Sequence, residues 1–183
     1  MTAQIPDMII WKEEEYEILG YEGGEKGIEL FNPKKFGLSP QFIHTACGRG
    51  FYCTYKIVSD VLYLDTLCVK DEHGNYPTIN GIDASPGEDF AYEYRHINLP
   101  IQYSGLIRIG TDFLREYYVH MGFQKPSAYG IVWDIEFSEG KIIDTKDISE
   151  KVKEIRGEYH DGYHKRELID GIYDAFKRDM VLR

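Results

Sequence analysis

Apolar and polar positions sort the chain into short β-type runs over most of its length, with a sustained helical pattern only towards the end. The clearest runs are Phe51 to Val58 and Val61 to Val69, rich in β-branched and aromatic residues and separated only by Ser59 and Asp60. Two such runs with a two-residue polar break predict an antiparallel hairpin. In the first, Phe51, Cys53, Tyr55 and Ile57 share one face and Tyr52, Thr54 and Lys56 the other. The second is apolar on both faces, as in a strand from the middle of a sheet. Met8 to Lys12 and Tyr16 to Gly20 are shorter strand candidates around the acidic run Glu13 to Glu15. Gly105 to Gly110 reads as a further strand. Ile131 to Phe137 and Lys141 to Asp144 read as a second hairpin around Ser138, Glu139 and Gly140, where glycine takes positive φ readily. Thr111 to Val119 fits a short helix capped by Thr111 better than a continuing strand.

The two hairpins resemble each other: Val58 to Thr66 aligns without gaps on Phe137 to Thr145, sharing the serine, aspartate and threonine at 59, 65 and 66 with those at 138, 144 and 145. Such a repeat implies two similar β halves, packed as one sandwich or open barrel, unless the match is chance convergence on hairpin chemistry. The tail changes period. Asp147 with Glu150 has the spacing of a capping box, Ile148, Val152 and Ile155 fall on one helical face, and Gly157 is a stop. Beyond the polar link 158–163, Leu168, Ile169, Ile172, Tyr173, Phe176 and Met180 keep amphipathic helical spacing, a stripe that must be buried on the sheet, on a second copy or on another protein. The expected architecture is α+β: a predominantly antiparallel β domain over residues 1–145, with a C-terminal helical segment, 146–183, packed on it.

Three other segments are irregular. The turn 21–27 holds three glycines but neither a P-loop nor a dinucleotide-binding motif. Residues 31–41 carry two prolines and a glycine, which disfavour a regular ladder. Residues 70–104 hold Pro77, Pro86 and Pro100 with only brief strand-like pieces such as Asp89 to Tyr94. Their aromatics Tyr76, Phe90, Tyr92, Tyr94 and Tyr103 suit either a contact surface or core packing.

Composition narrows the function classes. A chain of 183 residues with 43% hydrophobic and 28% charged residues is ordinary for a globular domain with a real core. The net charge of −10 argues against nucleic acid, whose phosphates call for clustered Lys and Arg. It suits simple solubility and also steering towards a basic protein partner. No apolar run approaches the roughly 18 residues of a membrane span, and the N-terminus lacks a signal-peptide pattern, so a cytoplasmic protein is expected. Cys47, Cys53 and Cys68 are odd in number, which favours reduced, partly buried thiols.

Chemistry-bearing residues are few. His44 lies three residues before Cys47, the minimum for an activated thiolate, although a small structural thiol at a strand start explains Cys47 as well. His120 offers a general base or a satisfied histidine. His160 and His164, with Asp161, have the i, i+4 spacing of a zinc pair if helical, but Gly162 intervenes and no third ligand is nearby. Arg49, Arg95 and Arg108 could clamp an anionic group if they converged. No cofactor is implied.

The segments RGFYCTYKI, LYLDTL, YSGLIRIG and YVHMGF together resemble the motif run of a group of small bacterial proteins of uncharacterised activity. In that group a W-R-G-Y type opening precedes a hairpin, and a Y-T-G-x-I-R-I type strand precedes a Y-V-H-M-G-Y type segment. The resemblance spans residues 45 to 143, with Gly48 in place of the aromatic before Arg49, and implies no activity or site residue. In character such proteins are similar to immunity proteins that neutralise a toxin. Two functions are therefore expected. The first is a binding module with Tyr92, Tyr94, Glu88, Asp89, Arg49 and Arg108 at its contact surface and a basic protein as partner, with a homo-oligomer through the C-terminal helix as a further option. The alternative is a small hydrolase or transferase built on His44, Cys47, Arg49, Arg108 and His120.

Overall fold

The computed structural model describes residues 2–24, 29–156 and 175–182. Ten strands join in one sheet: β1 (Met8–Trp11), β2 (Glu14–Tyr21), β3 (Phe51–Val58), β4 (Val61–Val69), β5 (Ser85–Pro86), β6 (Tyr92–Tyr94), β7 (Leu99–Pro100), β8 (Gly105–Phe113), β9 (Tyr129–Ser138) and β10 (Lys141–Asp147). One helix, α1 (Ser149–Arg156), follows among the described residues. The pairings run β10–β9–β8–β2–β1–β3–β4 and return to β10, so the sheet closes on itself. The seam is short: Lys141 faces Val61, Leu62 N donates to Gly140 O at 2.9 Å, and Ile142 N to Asp60 O at 2.8 Å. The rest of the β4 edge takes β7 and β6, and β5 extends β6. Every strand ladder is antiparallel except β1–β3, which is parallel. The expected antiparallel α+β architecture therefore takes the form of a barrel.

The barrel interior collects alternate residues of its strands, as a period-two pleat requires. Ile9, Tyr55, Leu62, Leu64, Leu67, Ile107, Ile109 and Ile135 are essentially inaccessible to solvent. A second cluster lies outside, where Ile148, just before α1, and Val152 of α1 pack on Leu19, Ala128, Tyr129 and Val132. The helix is held at both ends. Asp147 Oδ1 accepts from Ser149 N at 2.9 Å, and Arg156 donates to Ser127 O and Tyr129 O at 2.8 Å each.

Three expectations change. Thr111 to Val119 is not a helix: β8 continues to Phe113 in register with β9, and only Arg115–Tyr117 form a 3₁₀ turn. The β8–β9 ladder outweighs a threonine cap there, because Thr111 and Phe113 pair with Ile131 and Tyr129 of β9. The hairpin repeat does not superpose. Its turns are Ser59–Asp60 and Glu139–Gly140, all at positive φ, so the gapless alignment is out of register by one residue. One residue is enough to exchange the faces of a strand. The bulges differ too, falling at Asp65 in one hairpin and Ile143 in the other. Finally, residues 176–182 are not helical. Phe176 is 44% exposed, and the buried side chain of that segment is Arg178. The rest of the apolar stripe, Leu168, Ile169, Ile172 and Tyr173, lies outside the described residues, as does Gly157. No helix among the described residues is long and apolar enough to cross a membrane.

Candidate functional site

Two features share one side of the barrel and are joined by the loop 41–50. The first is an ionic cluster at the barrel mouth, where β1 begins, β2 ends and β3 begins. Asp7, just before β1, is only 2% exposed. Its Oδ1 accepts from Arg49 Nη2 and Cys53 N, both at 2.7 Å, and its Oδ2 from Arg49 Nη1 at 3.0 Å and Arg178 Nη1 at 2.6 Å. Glu29 accepts from Arg178 Nη2 and, at 3.0 Å, from the Tyr21 hydroxyl, and it lies 3.5 Å from Arg49 Nη1. The rings of Tyr21 and Phe123 lie 5.1 and 5.0 Å from the Arg178 guanidinium carbon. Burial raises the Asp7 pKa, but the charges of Arg49 and Arg178 and the hydrogen bonds outweigh it and hold the carboxyl below its ordinary value of 3.8. An open cavity of about 310 Å³ adjoins the cluster, lined by Gln4, Arg49, Phe123, Phe176 and Arg178 among others.

Glycines let the tail lie on the barrel. A Cβ on Gly20 would sit 2.2 Å from Asp179 O and one on Gly24 2.2 Å from Arg178 O. Gly122 at φ +72° would place one 2.1 Å from Ala175 O. Backbone bonds from Tyr21 N to Arg178 O at 3.1 Å and from Phe123 N to Ala175 O at 2.8 Å complete the contact.

The second feature is the tip joining β5 to β6. Gly87 N donates to Ala91 O and Ala91 N to Glu88 O, both at 2.9 Å, which closes a turn with Asp89 and Phe90 at its centre. Both have positive φ, +51° and +61°. Asn-Gly would suit such a turn, whereas a bulky aromatic in the left-handed region costs about 1–2 kcal/mol. Phe90 takes that conformation and is 90% exposed. Glu88 and Asp89 beside it are exposed as well. Asp89 lies 3.6 Å from His44 Nε2, which ties the tip to the loop carrying Phe42, itself 56% exposed.

The remaining predicted site residues separate. Tyr94 is fully buried, its hydroxyl donating to Pro77 O at 2.8 Å, so it belongs to the core and is not an accessible anchor. Burial pushes its pKa up to about 12. Tyr92 is half-buried and stacks on Tyr76 with ring centres 3.9 Å apart. Arg108 is bound by Asp134 at 2.7 and 2.8 Å and also donates to Met180 O, and Arg95 pairs with Glu93 on the surface. The three arginines Arg49, Arg95 and Arg108 are thus committed to three different carboxylates and form no joint anion clamp. Cys47 is buried with its thiol 3.5 Å from Phe51 O. Burial raises its pKa, and the nearby Arg49 charge only partly offsets this, so the thiol stays protonated. His120 is exposed and packs edge-on against Tyr118. Apart from the backbone bond from Cys47 N to His44 O at 2.9 Å, no hydrogen bond or ion pair among the described residues joins any two of His44, Cys47, Arg49, Arg108 and His120. His160 and His164 lie outside the described residues.

Asp7, Glu29 and Arg178 escaped the sequence reading, because Asp7 stands 42 residues from Arg49 and 171 from Arg178. The one signal was an arginine between Phe176 and Met180, inside an apolar pattern. Compared with family models, with curated proteins and with solved structures, the chain matches none.

Proposed function

We propose that the protein is a binding module that acts through protein–protein contact, with the 87–91 tip and the loop 41–50 as its contact face and a basic protein as its partner. Phe90 carries this reading. An aromatic side chain 90% exposed on a backbone conformation that disfavours it has a local cost, and local strain of this kind clusters where a chain makes functional contacts. Large aromatic anchors ringed by polar groups are the usual centres of interface energy. Glu88 and Asp89 flank it, and the net charge of −10 supplies a field that draws a basic surface towards it. The lack of any side-chain bond joining His44, Cys47, Arg49, Arg108 and His120 among the described residues, and the burial that raises the Cys47 pKa, also favour a binder over the hydrolase or transferase alternative. An inhibitor of the immunity type, acting in the cytoplasm on a basic toxin, is the form of this function that the small acidic character suggests.

A photo-crosslinking phenylalanine analogue placed at position 90, with the same analogue at the exposed Ile143, at the opposite end of the barrel, as control, tests the reading in cells of the source organism. The expected result is one basic protein joined at position 90 and absent at 143. Equal labelling at both positions, or none at 90, would remove the tip from the contact face.

A further inference from the structure

The mouth cluster has the construction of a receptor whose ligand is part of the same chain. Arg178 arrives from the far end of the sequence and is 5% exposed. Two carboxylates take two edges of its guanidinium: Asp7 accepts from Nη1 at 2.6 Å and Glu29 from Nη2. Two rings, Tyr21 and Phe123, lie about its carbon at 5.1 and 5.0 Å. Edge-on carboxylates with aromatic faces match a planar delocalised cation and not a compact ammonium.

Charge points the same way. Asp7 and Glu29 are balanced by Arg49 and Arg178, so withdrawing Arg178 leaves three charges, two negative and one positive, around a buried carboxylate. Such a site calls for a cation. The segment bearing Arg178 is secured largely by polar contacts, since Phe176 and Val181 beside it are 44% and 52% exposed and Leu182 is its apolar contact with the outer cluster. The approach to it stays open, because the 310 Å³ cavity runs beside Arg178 between Gln4, Arg49, Phe123 and Phe176.

We infer that the barrel mouth is a guanidinium-recognition site, filled here by the chain's own Arg178 and open to an arginine of a basic partner in its place. Arg178 then acts as a competitor in cis, and a partner engages the mouth only by displacing it. The arginine preference rests on the mouth geometry alone. Only the partner role rests on the proposed binding function.

The test uses the full chain with Arg178→Ala and a probe that does not depend on the partner. Methylguanidinium chloride should raise the melting temperature of Arg178→Ala, methylammonium chloride at equal concentration should not, and the wild type should respond to neither. A short acetylated Gly-Arg-Gly peptide should bind Arg178→Ala about tenfold more tightly than its lysine counterpart and about tenfold more tightly than it binds the wild type. Adding Asp7→Asn should abolish both effects. If Arg178→Ala does not fold, Arg178→Lys keeps the charge and carries the same comparison. Equal responses to the two salts, or an arginine peptide bound no better than the lysine one, would overturn the inference. Either result would leave the crosslink at position 90 untouched.

Discussion

Replacing Asp7 with asparagine keeps the side-chain volume and removes the charge on which the mouth depends. Each carboxylate oxygen accepts two hydrogen bonds, Oδ1 from Arg49 Nη2 and Cys53 N, Oδ2 from Arg49 Nη1 and Arg178 Nη1. Whichever way the amide is turned, its NH₂ group confronts two donors, so two bonds are lost. Arg178, 5% exposed, and Arg49 are left with Glu29 as the acidic partner. Breaking a buried ion pair from one side costs about 3–5 kcal/mol, a large part of the roughly 5–15 kcal/mol that holds a domain folded. At about 2–4 °C per kcal/mol for a chain of this size, Asp7→Asn should melt about 6–20 °C below wild type. The pH profile gives a second reading. The folded-state pKa of Asp7 lies below 3.8, so its contribution is present above that value and is lost as pH falls through the depressed one. Wild-type stability should therefore drop more steeply than that of Asp7→Asn as pH falls below about 4. Calorimetry across pH measures both. A melting temperature within about 2 °C of wild type at neutral pH, with parallel acid profiles, would refute the view that Asp7 organises the mouth.

Two further comparisons probe the fold around it. Gly122 and Gly74 both have positive φ, but a Cβ on Gly122 would strike Ala175 O at 2.1 Å while one on Gly74 meets open space. Gly122→Ala should thus destabilise clearly more than the about 1–2 kcal/mol of left-handed strain expected for Gly74→Ala, and equal losses by denaturant unfolding would show that the tail does not bear on Gly122. Tyr94→Ala should cost about 3–5 kcal/mol from a fully buried site, and Phe176→Ala, at 44% exposure, well under half of that; the reverse order would mean that the tail, and not the β6 tyrosine, belongs to the core.

The β3–β4 hairpin was legible to the residue, because β-branched and aromatic runs on either side of Ser59–Asp60 admit one pairing. The β9–β10 hairpin and the core of β8 were legible for the same reason, and the α1 face through its three-to-four spacing. Closure of the barrel was not, since the β4–β10 seam and the parallel β1–β3 ladder join segments whose local patterns carry no mark of each other. Thr111 to Phe113 shows a ladder overriding local propensity. At the site, Arg49 was visible between two glycines and Glu88 and Asp89 as acidic residues, but Asp89, read as the start of a strand-like piece to Tyr94, lies in the tip turn, and the strand is only Tyr92–Tyr94. Tyr92 and Tyr94 share one face of β6, and their separate fates turned on position along it: Tyr94 sits in the core, whereas Tyr92, nearer the tip, is half-buried and stacks on Tyr76. The partners of Arg49 and Arg108 were hidden because ion pairs across a barrel leave no spacing rule in the chain.

In the proposed binding role, Phe90 anchors a contact towards which Glu88 and Asp89 steer a basic protein. Association and dissociation rates of the protein recovered by the position-90 crosslink, measured across salt concentrations, test it most directly. With Glu88→Gln and Asp89→Asn, association should slow and lose much of its salt dependence while dissociation stays nearly unchanged, because exposed charges act over a Debye length of about 10 Å at 0.1 M. With Phe90→Ala, dissociation should quicken about 30-fold, the equivalent of a hot-spot loss of about 2 kcal/mol. Wild-type dissociation from Phe90→Ala, together with a measurable turnover abolished by Cys47→Ala or His120→Ala, would contradict the binding account and put the enzyme in its place.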